Sequence, residues 1–89
     1  MYIHLGQDTV VKKSDIIGIF DLDTATVSKR TRDYLAKAEK AGRVVNVSTE
    51  LPKSFIVCTR EDGQIIYISQ ISTATLLKRN ESGIEYSLY

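Results

Sequence analysis

The residues that could do chemistry in this chain are few and scattered. Asp21 and Asp23 follow an apolar run, a place where metal-binding acids sometimes sit. The same spacing suits a turn that puts negative charge near a helix N-terminus. No third ligand or nucleophile is recognisable beside them, so the turn is expected. His4 and Cys58 are each the single residue of their type, and one of each draws no metal cluster. Cys58 ends the run Phe55-Ile56-Val57-Cys58 and reads as a small buried hydrophobe. Without a second cysteine it forms no intramolecular disulfide, which fits a reducing cytosol. The glycines at 6, 18, 42, 63 and 83 are too dispersed for a phosphate loop. These features predict a non-enzyme with no cofactor, no metal and no evident small-molecule ligand.

The main charge feature is the segment 29–43. Lys29, Arg30, Arg32, Lys37, Lys40 and Arg43 face only Asp33 and Glu39, a net charge of +4. A solvated helix face with i, i+4 pairs such as Lys29–Asp33 would account for it. A phosphate-binding surface is the sharper possibility, and Lys53, or Lys12 and Lys13, could join it.

These residues must be held by a small set of elements. Residues 2–5 and 9–12 predict a hairpin across Gly6-Gln7-Asp8. Residues 16–21, IIGIFD, predict a fully buried strand because four of the six are large and apolar. Residues 21–26 form a polar connection in which Thr24, Thr26 or Ser28 could cap the next helix. Val27, Thr31, Tyr34, Leu35, Ala38 and Ala41 share one helical face, and Gly42 is the expected left-handed stop. Residues 44–47 predict a short strand and residues 48–53 a loop, since Pro52 cannot donate to a central ladder. Residues 54–60 and 64–69 predict strands joined at Gly63, and residues 72–79 a short helix. Alternation in residues 83–89 suggests an edge strand.

Eighty-nine residues suffice for one domain. A domain of this size buries only about 60–65% of its unfolded surface, so its core is thin and partner subunits are a natural support. Twelve Lys and Arg stand against eleven Asp and Glu, a net charge of +1. This balance does not by itself mark a polyanion binder. No apolar run reaches membrane-spanning length and no signal-peptide pattern is present.

The segments Tyr2-Ile3-His4-Leu5-Gly6, Ile16-Ile17-Gly18-Ile19-Phe20-Asp21 and Pro52-Lys53-Ser54-Phe55-Ile56-Val57 together resemble the Rem family of extracellular-matrix regulators in spore-forming bacteria. Ile66-Tyr67 and Ser72-Thr73-Ala74-Thr75-Leu76-Leu77-Lys78-Arg79 fit the same pattern, so the resemblance spans residues 1–80. It implies a cytoplasmic regulator of biofilm-matrix genes. One branch of that family binds promoter DNA as a homo-oligomeric ring, which would repeat a small basic patch many times. That branch has an arginine cluster where this chain has Thr49-Glu50-Leu51-Pro52-Lys53, and an arginine near Asp15. Forked arginine contacts to phosphate and base edges are therefore fewer here.

The expected fold is α+β, a mainly antiparallel sheet with one long and one short helix. A single small domain covers residues 1–80, followed by a tail at 81–89. The expected function is a transcriptional regulator that binds double-stranded DNA as a homo-oligomeric ring, with Lys53, Arg43, Arg32, Lys29 and Arg30 as phosphate contacts. The alternative is a ring-forming protein-interaction module that has lost DNA contact.

Overall fold

In this computed structural model, which describes residues 2–82 and their side chains through residue 79, the chain alternates short strands and helices. β1 (Tyr2–Gly6) and β2 (Thr9–Lys12) are followed by a single 3-10 turn at Lys13–Asp15. Next come β3 (Ile16–Asp21), α1 (Leu22–Ala25) and α2 (Lys29–Lys40). The chain continues with β4 (Val44–Asn46), β5 (Ser54–Arg60), β6 (Gly63–Ser69) and α3 (Thr73–Ser82). The fold is α+β and mostly antiparallel, as expected. The four-residue α1 is added within what the sequence suggested was a plain connection. The strand suggested for residues 83–89 lies outside the described residues.

Four strands form one sheet in the order β3-β5-β6-β4, and the β1–β2 hairpin is a separate two-stranded sheet. β5 is antiparallel to both β3 and β6, while β4 runs parallel to β6. Side chains alternate across the large sheet. One face gives Ile56, Cys58 and Tyr67 to a core with Ile3, Leu5, Val11 and Val47, closed by Leu76 of α3. The other face gives Phe55, Val57 and Ile66 to a smaller cluster with Leu22 and Ala25 of α1 and Leu35 and Ala38 of α2. The domain is thus three layers, the hairpin with α3, the sheet, and the pair α1–α2.

Two buried hydroxyls tie the first layer to the second. Ser69 Oγ donates to Leu5 O at 2.7 Å and accepts from Ile71 N at 3.0 Å. Ser54 Oγ donates to Ile71 O at 2.8 Å. Both serines are fully buried, so satisfying these oxygens avoids the desolvation penalty of an unpaired polar group.

The expectation of a fully buried strand at 16–21 is corrected. β3 is an edge strand with no fully buried residue, and Ile17 is 58% exposed and Phe20 42% exposed. The register slips between Ile16 and Gly18, leaving Ile17 as a bulge opposite β5. Bulges of this kind blunt a free edge against further strand pairing. The interior strand is β5, where residues 54–58 are all buried.

The helical face also shifts. α2 begins at Lys29, so Val27 falls outside it and is 77% exposed. Leu35 and Ala38 pack on the sheet. Tyr34 remains exposed and donates its hydroxyl to Gln64 Oε1. At the other end Gly42 (φ +73) stops the helix as expected. Gly42 N donates to Glu39 O at 3.0 Å and Arg43 N to Ala38 O at 2.9 Å, the paired bonds of a Schellman motif.

Candidate nucleic-acid interface

Two of the five candidate bases, Lys53 and Arg43, lie at opposite ends of β5. Lys53 precedes its first residue, and the β5–β6 turn follows its last. Seven residues of strand span roughly 20 Å. At the Lys53 end, Lys53 N donates to Ser69 O and Lys53 O accepts from Leu22 N, at 2.9 and 3.0 Å. The backbone of residue 53 is therefore fixed against the start of α1, while its side chain is exposed. α1 is four residues long, about 6 Å, and residues 26–28 link it to α2. Lys29, Arg30 and Arg32 follow this link in the first turn of α2.

Arg43 lies elsewhere. Arg43 follows the Gly42 stop of α2 and reaches the β5–β6 turn, where Tyr34 of α2 also bonds Gln64. There Nη1 donates to Gln64 O at 3.0 Å and Nη2 to Asp62 O at 2.9 Å. Arg43 therefore braces the turn at the end of β5 opposite Lys53. Lys12 also falls at that end, beside Asp15 and Arg60 in a cleft of about 210 Å³.

Asp21 caps α1, its Oδ1 accepting from Thr24 N at 3.0 Å. The carboxylates at 21 and 23 thus sit at a helix N-terminus, as the turn interpretation expected. α2 is treated differently. Ser28 holds its N-cap position but its hydroxyl accepts no bond from the helix, and the first turn contains no acid. Instead it carries the exposed Lys29 and Arg30. A helix N-terminus is the positive end of the dipole, where acids stabilise and bases destabilise by about 0.3–1 kcal/mol each. Bases at an uncapped positive end make a local field suited to an anion.

The chain's similarities to known proteins agree with its sequence pattern. The family model described as RemA-like, extracellular matrix regulatory protein A-like, matches residues 2–79. The chain belongs to this RemA-like family. It is similar to extracellular matrix regulatory protein B of Bacillus subtilis, with 43% identity over 79 residues, 89% of each chain.

Within this RemA-like chain the loop before β5 is exposed, and Leu51 is 80% exposed. Glu50 N donates to Ser48 Oγ at 3.0 Å, a local turn that leaves the acid two residues after the hydroxyl. Asp15, by contrast, is near Cys58 and Arg60 at the far end of β5. Positions 15 and 53 therefore do not share a surface end. Cys58 is buried, and burial pushes its thiol up to about 11, with the Asp15 charge adding to the shift and Arg60 opposing it. The brace formed by Arg60, whose Nη2 donates to the Tyr67 hydroxyl, was not foreseen from sequence. Arg60 and Tyr67 stand seven residues apart in sequence, and only the β5–β6 pairing brings their side chains together. No helix among the described residues is long and apolar enough to cross a membrane.

Proposed function

We propose that this chain is a non-enzymatic, cytoplasmic regulator of extracellular-matrix genes that binds double-stranded DNA as a homo-oligomeric ring. Lys53, Lys29 and Arg30 are the phosphate contacts. The observation that carries this proposal is the first turn of α2, where exposed bases occupy an uncapped helix N-terminus that lacks any acid. Such a placement opposes helix stability and suits phosphate binding. Lys53, fixed by backbone bonds at the start of α1, supplies a further exposed base in the loop before β5. A ring overcomes the net charge of only +1, because each subunit adds its own patch to one rim. The family supports a role in matrix regulation, since its model and the Bacillus subtilis relative are both described as extracellular matrix regulatory proteins.

The test is a mobility-shift titration with promoter and random duplexes, paired with light scattering to establish the oligomer. Affinity is expected to fall steeply between about 50 and about 200 mM salt, with roughly 0.9 of slope per neutralised phosphate. A monomer at high concentration, or no binding at low salt, would overturn the proposal. Glu50 beside Lys53, together with exposed Leu51 and Ile17, favours a second possibility, a ring that docks a protein partner. A partner bound with little salt dependence, with no DNA shift, would establish that one.

A further inference from the structure

We infer that Arg32 is a positioning residue, not a phosphate contact: its guanidinium holds open the break between α1 and α2 that presents the N-terminus of α2. The inference rests on the DNA-binding function proposed above. If α1 ran on into α2, the carbonyls of Thr26 and Val27 would accept the N–H groups of Arg30 and Thr31, four residues later. Ser28 is instead extended, at φ −76 and ψ 130. The chain closes α1 on itself, with Thr26 N and Thr26 Oγ1 both donating to Leu22 O at 3.1 and 2.6 Å. Ser28 N donates to Ala25 O at 3.3 Å, and Arg32 N to Ser28 O at 3.1 Å.

The carbonyls displaced by this break are those of Thr26 and Val27. Arg32 Nη1 donates to both, at 2.7 and 2.9 Å. One guanidinium nitrogen thus replaces two main-chain donors. The N–H groups of Lys29, Arg30 and Thr31 are left without an intrahelical acceptor, and the Ser28 hydroxyl does not cap them. A cation is suited to this task, because charge-assisted bonds to carbonyls are stronger than neutral ones. With Nη1 committed to the link, Arg32 acts on DNA through the first turn that it exposes.

Amide hydrogen exchange and salt-dependent DNA affinity, measured on the full chain, separate this role from direct contact. Arg32→Met is expected to raise exchange at the bonded amides of Thr26, Ser28 and Arg32 at least about tenfold relative to β5 amides, which serve as a folding control. It should weaken DNA binding at fixed salt without changing the salt slope, because Lys29, Arg30 and Lys53 remain. Lys29→Ala should leave exchange unchanged and reduce the slope by about one. If Arg32→Met lowers the slope as Lys29→Ala does while the link amides stay protected, Arg32 is a contact and the inference fails. Unchanged exchange and unchanged affinity would also overturn it. If the unaltered chain does not bind DNA, the proposed function fails and takes the DNA half of the inference with it. The exchange data alone then show whether Arg32 holds the break.

Discussion

Arg43 sits against the backbone of Gly63, so that a Cβ placed at residue 63 would lie 2.6 Å from Arg43 Nη1. Gly63 also has φ +127, a conformation that residues with a Cβ rarely adopt. Gly63→Ala is therefore expected to cost about 2 kcal/mol, from backbone strain and from displacement of the guanidinium. Adding Arg43→Ala removes the collision, so the double substitution should cost less than the two singles combined. Urea unfolding of the four proteins in the cycle checks this, and strict additivity would show that the close approach is not felt.

β3 and β5 should respond in opposite ways to truncation. Ile17 is bulged and mostly exposed, whereas Ile56 is fully buried between the hairpin and the sheet. Ile17→Ala should change unfolding free energy by no more than about 0.5 kcal/mol. Ile56→Ala should cost about 2–5 kcal/mol, the range for a buried aliphatic truncation. A large loss at Ile17 that grows as protein concentration falls would instead place this residue under a neighbouring subunit.

Cys58 gives the fold an alkaline limit. Its thiol is held neutral by burial and by the nearby charge of Asp15, raising it from 9.0 to about 11. The unfolded chain loses this proton first as pH rises, so the folded state binds more protons in that range. The thiol's stabilising effect is complete below pH 9 and disappears as pH rises through about 11. Denaturant midpoints measured across this window should fall for the native chain and fall less for Cys58→Ala. Parallel curves would remove Cys58 as the cause.

The two ends of the sheet should differ in their effect on DNA. Lys53→Ala and Lys29→Ala are each expected to reduce the salt slope by about one and to weaken binding equally on promoter and random duplexes. Arg43→Ala, at the opposite end of β5 and bonded to Asp62 O and Gln64 O, should leave the slope unchanged while lowering stability. A slope loss at Arg43 matching that at Lys53 would mean that the bound duplex spans both ends.

Local chemistry carried much of this protein in its sequence. The hairpin at β1–β2, the stop at Gly42 and the strands on either side of Gly63 each follow from residues within a few positions of one another. The family pattern was legible too, and so was the burial of Cys58 within an apolar strand. Tertiary structure decided what depends on neighbours distant in the chain. IIGIFD is apolar whether it lies at the centre or the edge of a sheet, and only its pairing with β5 alone made it an edge. Six bases in one helical segment look equivalent in sequence, because charge is read residue by residue. Folding separated them by giving Arg43 the carbonyls of Asp62 and Gln64 and Arg32 those of Thr26 and Val27. Every residue offers a carbonyl, so no side-chain pattern marks which ones a guanidinium will take.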